Sequence, residues 1–272
     1  MSRTEAGTTQ DVFDVPAFIN SRHLGAVQYG IIVLCGLMML LDGFDTQAIS
    51  YIAPRIAREW GLSRELLGPI FSSALTGLMV GYLVLSPLSD RFGHRRLIII
   101  STVTFALLTL ITVLATSVTQ LIALRFVTGI ALGAAIPSAV ALTTEYSPKR
   151  LRATFVLALY CGFSLGFVAA GGVAAWMIPL HGWRSLLWIG AIAPLTLGVF
   201  VFIFLPESLD FLVRTNAKPE SIWRVVRSFD SALQTKVRVY SPPRSKKREA
   251  RSAPYFNPTE RSEHLFFGWC SA

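Results

Sequence analysis

Two carboxylates stand inside an otherwise apolar run, Asp42 and Asp45 in LLDGFDTQAISYIAP. Spaced i, i+3, they fall on one face of a helix. Carboxylates one turn apart resist ionising together, so the pair is suited to taking up and releasing a proton. Arg125, in TQLIALRFVTGIALGAAIP, is the matching positive charge. Its planar guanidinium suits a carboxylate, whether from a neighbouring helix or from an arriving anion. A third set of charges lies in two short segments. SPLSDRFGHRRLI carries Asp90, Arg91, Arg95 and Arg96 around a tight turn at Gly93, and EYSPKRLR carries Glu145, Lys149, Arg150 and Arg152. Opposite charges on two helix ends can lock one conformation and must separate in another. Surface pairs are worth only about 0–1 kcal/mol each, so a gate of this kind needs several. Four histidines (His23, His94, His181, His264) and three cysteines (Cys35, Cys161, Cys270) show neither metal-ligand nor disulfide spacing. No HExxH or phosphate-binding glycine loop is present, so the sequence offers no catalytic residue, no metal site and no enzyme reading.

These charges are expensive because of what surrounds them. The chain of 272 residues is 53% hydrophobic and only 15% charged, against about 25% charged in a soluble domain. A net charge of +9 would by itself suggest nucleic acid. The distribution excludes that: residues 1–205 hold 13 Lys/Arg and 9 Asp/Glu, and residues 206–272 hold 12 and 7. The charge therefore gathers behind a long apolar region, as orientation signals rather than a binding face.

Uncharged runs of 24, 28, 19, 31 and 22 residues separate Glu65, Asp90, Arg96, Arg125, Glu145, Arg152, Arg184 and Glu207, and a further apolar run contains the two aspartates. About 20 predominantly apolar residues cross a bilayer as a helix. The expected architecture is an all-α, polytopic six-helix bundle with spans near 27–53, 66–88, 97–116, 120–144, 153–178 and 184–205. Short connections make neighbouring helices antiparallel. Gly129 with Gly133, and Gly162 with Gly166, have the small-xxx-small spacing that lets backbones approach in lipid. Pro69, Pro137 and Pro194 are expected to interrupt helical hydrogen bonding.

At 1.5 Å per residue, Asp42 and Asp45 lie roughly 22 to 27 Å along the first span, and Arg125 lies roughly 8 Å inside the fourth. Asp45 and Arg125 can thus share a depth and pair. Charged groups at such depth usually face a bundle interior and mark ion or substrate pathways. Blander readings stand beside these: aspartates capping a broken helix at the interface, an arginine snorkelling outward, and loop charges that only set topology. Lys and Arg concentrate in the loops after the second and fourth spans and in the tail, which puts both termini in the cytoplasm. The first residues lack the features of a cleaved secretory signal.

At the same residues the sequence resembles the major facilitator superfamily, and within it the aromatic acid:proton symporters. The superfamily motif between helices two and three reads G-x-L-x-D-R-x-G-R-K/R. Ser86, Pro87, Leu88, Ser89, Asp90, Arg91, Phe92, Gly93, His94 and Arg95 follow it, with Ser86 in place of the glycine and His94 in place of an arginine. Arg125, Gly129 and Gly133 resemble the helix-four pattern, while helix five lacks the proline of the antiporter motif. DGFD, RFVTGIALGAAIPSAVALTTEYSPKRLRAT and PESLDFL are similar to the aromatic acid symporters. The resemblance covers about residues 10–234.

The resemblance implies a secondary transporter taking up benzoate- or hydroxybenzoate-like anions with protons by alternating access, in a bacterial inner membrane. The proton gradient would be its driving force, with no cofactor and no nucleic acid partner. Asp42, Asp45 and Arg125 would serve proton coupling and substrate. Asp90, Arg91, Gly93, Arg95, Arg96 and Glu145 would serve conformational gating. Superfamily members have twelve helices in two halves, and six are found here. The expected organisation is a cytoplasmic N-terminus at 1–26, the bundle at 27–205, a cytoplasmic segment at 206–234, and a basic tail at 235–272 whose composition suggests disorder, truncation or a frameshift. The half would then act with a separate six-helix half, as a homodimer, or not transport at all.

Overall fold

The computed structural model describes residues 25–215; the expected N-terminal segment before residue 25, most of 206–234 and all of 235–272 lie outside them. The described residues form six long helices, each apolar and long enough to cross a membrane. They are α1 (Ala26–Glu59), α2 (Leu67–Phe92), α3 (His94–Val113), α4 (Val118–Glu145), α5 (Arg152–His181) and α6 (Arg184–Phe204). A short 3-10 turn (Arg64–Leu66) precedes α2, and a short helix α7 (Leu209–Arg214) follows α6. Among the described residues there is no strand.

The expected spans agree with these helices, with extensions that have local causes. α1 runs unbroken through both aspartates and through Pro54 to Glu59, so the broken-helix reading of Asp42 and Asp45 does not hold. Pro137 and Pro194 lie inside helices, as do Pro54, Pro87 and Pro179. Pro69 is different. It occupies the first turn of α2, where a missing N–H interrupts nothing, since those donors have no intrahelical partner. The start of α4 is fixed by Ser117, whose hydroxyl accepts from the Gln120 N–H at 3.3 Å.

Two tight helix pairs organise the bundle, α1 along α5 and α2 along α4, with α3 and α6 packed behind them. Glycines set both contacts. A Cβ on Gly43 would stand 2.0 Å from the Phe163 carbonyl oxygen, and one on Gly166 would stand 2.1 Å from that of Leu40. Across the other pair, Gly77 and Gly129 face the carbonyls of Phe126 and Ala74 at 2.0 and 2.2 Å. Gly133 and Gly162, expected as packing residues, also sit against the neighbouring backbone. In lipid, where apolar surface gains little by leaving tails for another helix, such backbone approach carries association.

The interior has layers. One apolar cluster gathers Ile31, Cys35, Met38, Ile98, Leu142 and Val201, and a second gathers Phe44, Ile52, Ile56, Leu121, Trp183 and Leu186. Asp42, Asp45, Arg125 and Thr128 are buried between them. α2 and α5 are the least covered helices, exposing Leu83, Val84, Leu157 and Val168.

Adding a methyl at the tight glycines forces backbones apart, at a cost of about 1–3 kcal/mol or more. Gly166→Ala and Gly129→Ala are therefore expected to lower the thermal unfolding temperature of the purified chain in detergent. Gly172→Ala, where nothing lies within 4 Å, leaves it unchanged. Equal melting of Gly166→Ala and Gly172→Ala would contradict the packing.

Candidate functional site

Arg125 projects from α4 into the interior and is 1% exposed. Its Nη1 donates to both carboxylate oxygens of Asp45 on α1, at 2.9 and 2.8 Å. The pair predicted from depth therefore forms, and Arg125 does not snorkel. Because one nitrogen serves both oxygens, Nε and Nη2 are left without a partner among the described residues. A buried guanidinium with two idle donor groups has capacity for a second acceptor.

Asp42 lies one turn away on α1, 5% exposed, with its Oδ2 unpartnered among the described residues. Asp45 and the phenol of Tyr82 on α2 are among its electrostatic neighbours. The two aspartates thus differ: one is held by a guanidinium, and the other is buried with no opposite charge on it among the described residues. The Thr46 hydroxyl is turned back onto the Asp42 carbonyl at 2.8 Å.

Other residues complete this layer without a sequence signal that marked them. Gly190 brings α6 close, since a Cβ there would stand 3.9 Å from Asp45 Oδ1 and 3.7 Å from Thr109 Cγ2. Thr109 is fully buried, with its hydroxyl unpartnered among the described residues. On the other side of Asp45 a cavity of about 340 Å³ opens between the two helix pairs. Asp45, Gln47 and Ser50 of α1, Phe71 and Leu78 of α2, Gly129 and Leu132 of α4, and Phe167 of α5 line it. Its lining is mostly apolar, and its volume lies at the lower end of the range for small-molecule sites. Among the described residues no cluster of His, Cys, Asp or Glu could hold a metal ion.

The expected gating residues collect at the far end of the bundle, around Gly93. That glycine has φ of +92°, a conformation that disfavours any Cβ. A Cβ would also stand 2.9 Å from the Glu207 carboxylate. Glu207, in PESLDFL after α6, is the group the sequence reading missed. It accepts from the Arg95 backbone N–H at 3.1 Å, capping the N-terminus of α3 from a remote segment. Its own carbonyl accepts from the Tyr146 hydroxyl, and the Tyr146 carbonyl accepts from Gln28 Nε2 at 2.8 Å.

The Arg95 side chain donates to the Phe202 carbonyl at 2.6 Å and lies over the Phe202 ring. Arg95 is thus directed to the end of α6 instead of to Glu145. Arg91 and Arg96 are exposed, Glu145 ends α4 half-buried, and Arg152 reaches the Ser147 carbonyl at 3.3 Å. The side chain of Asp90 lies outside the described residues. At the opposite end, Trp183 Nε1 donates to Glu59 at 2.6 Å, and Arg184 stands over the Trp183 ring.

Among the described residues, six helices long and apolar enough to cross a membrane, a buried interhelical ion pair and an adjoining cavity make up a polytopic helix bundle. Comparison makes the class specific: the Major Facilitator Superfamily profile matches residues 35–272, and the chain belongs to that superfamily, a family of transporters rather than enzymes. It is 41% identical over 239 residues to the 4-hydroxybenzoate transporter PcaK of Pseudomonas aeruginosa, covering 88% of this chain and 53% of that protein. It is 40% identical to a gallate transporter of Pseudomonas putida, covering 77% of this chain and 46% of that one. The fold matches the xylose transporter XylE from E. coli in a partially occluded inward open conformation. That match has a TM-score of 0.65 and 23% identity over 75% of this chain and 55% of that one. The chain spans about half the length of the curated relatives it matches.

Removing one partner of a buried ion pair strands the other and typically costs about 3–5 kcal/mol, whereas replacing both can be nearly neutral. Arg125→Leu and Asp45→Leu are each expected to destabilise the purified chain by roughly that amount, with the double variant well short of their sum. Additive losses in unfolding measurements would mean that the pair does not carry the packing of α1 on α4.

Proposed function

We propose that this six-helix half belongs to a bacterial inner-membrane transporter that takes up aromatic acid anions together with protons by alternating access. The observation that carries the reading is the Asp45–Arg125 pair beside the cavity, with two guanidinium donor groups idle. The relatives' names supply the substrate class, since a hydroxybenzoate or gallate is a flat ring bearing a carboxylate.

The chemistry follows from competition for one cation. While Asp45 is ionised it occupies Arg125 and repels an arriving carboxylate. A proton taken up by the Asp42/Asp45 pair removes that charge, and the substrate carboxylate then occupies the guanidinium. Neither proton nor anion binds well alone, which is the thermodynamic requirement for symport. On this reading both termini are cytoplasmic, which the positive loops after α2 and α4 support. Asp90, Arg91, Gly93, Arg95, Arg96 and Glu145 form the cytoplasmic end that rearranges as access alternates. The route across the membrane is completed by a second six-helix half, covalently joined or separate, or by a second copy of this chain.

Vesicles holding this half together with a second half are expected to accumulate labelled 4-hydroxybenzoate when a proton gradient is imposed. Asp42→Asn should reduce that uptake to background while the protein still inserts normally. Uptake by Asp42→Asn at the unsubstituted rate would refute its part in coupling.

A further inference from the structure

We propose that this half by itself holds the ring of its substrate in the cavity beside Asp45, and that Gln47 and Ser50 select the polar substituent on that ring. This rests on the aromatic-acid reading above and adds the residues that discriminate among such acids.

The cavity has two chemically different walls. Its polar side chains, Asp45, Thr46, Gln47 and Ser50, all come from α1, whereas α2, α4 and α5 contribute apolar groups that include Phe71 and Phe167. Neither the Gln47 amide nor the Ser50 hydroxyl has a hydrogen bond to a described residue, although both side chains are half-buried. Most other hydroxyls near this layer are spent on their own helix: Thr46 on the Asp42 carbonyl and Thr128 on that of Leu124, at 2.8 and 2.7 Å. Gln47 and Ser50 are therefore left to face the cavity contents.

The lining fits one class of ligand. Asp45 stands at one edge of the cavity with Arg125 bonded behind it. With its carboxylate directed at that pair, a hydroxyl on the ring arrives at Ser50 and Gln47, which can donate to it and accept from it. Phe71 and Phe167 supply edge or face contacts to the ring. An aliphatic acid of equal length forfeits those contacts. A volume of about 340 Å³ admits one ring.

Selectivity of this kind is read by equilibrium binding to the purified 272-residue chain in lipid nanodiscs, using labelled 4-hydroxybenzoate and benzoate. The chain is expected to bind both and to prefer the hydroxylated acid. Gln47→Leu and Ser50→Ala should each shrink that preference by up to about tenfold, the worth of one hydrogen bond, with benzoate binding retained as proof of folding. Phe71→Ala should weaken both acids alike. An unchanged preference in both Gln47→Leu and Ser50→Ala, or no binding of either acid by the chain, overturns the assignment. Loss of both acids by both variants at unaltered melting temperature also counts against it. Selective binding without proton-driven uptake would overturn only the transport reading, and proton-driven uptake with unaltered selectivity would overturn only this one.

Discussion

In hydrocarbon a guanidinium has no water to turn to, so Arg125 must find a carboxylate or distort the bilayer around it. Asp45 supplies that carboxylate from another helix, and the two lie between apolar clusters that fill the ends of the bundle. The glycine contacts serve the same end. With backbones of α1 and α5, and of α2 and α4, brought together at Gly166 and Gly129, the charged layer is enclosed and the cavity remains as the gap between the pairs. The ion pair is thus both a costly feature of the interior and a contact that joins α1 to α4.

Much of this was legible in the sequence because bilayer thickness imposes a length and a composition on every span. The six helices, the interhelical glycines and the depth match of Asp45 with Arg125 all follow from counting. What escaped depends on contacts between distant segments. Glu207 looks like an ordinary loop acid until the chain after α6 folds back and caps α3. Arg95 reads as a charge in a basic loop, and its bond to the last turn of α6 is visible only in the fold. Pro69 reads as a helix breaker, but the helix starts two residues before it. Gln47, Ser50, Phe71 and Phe167 carry no motif, since a cavity lining is drawn from several helices at once.

The two aspartates show how one motif can hold two environments. Both are buried, but among the described residues only Asp45 has a cation on it. Such an arrangement keeps one acid as a fixed counter-ion until the other, or a ligand, changes the local charge. At the Gly93 end, a carboxylate, a tyrosine and a glutamine tie α1, α3, α4 and the segment after α6 together. A change in helix tilt at the charged layer must therefore be accommodated at that end too.

The central claim is that a substrate carboxylate and Asp45 compete for Arg125, with a proton deciding between them. Infrared difference spectroscopy on the transporter containing this half reads that proton directly, by the carbonyl stretch of a protonated carboxyl group on adding 4-hydroxybenzoate. A band that appears with substrate and is missing in Asp45→Asn is the expected result. Substrate bound with no protonated carboxyl gained, or a band unaffected by Asp45→Asn, would contradict it.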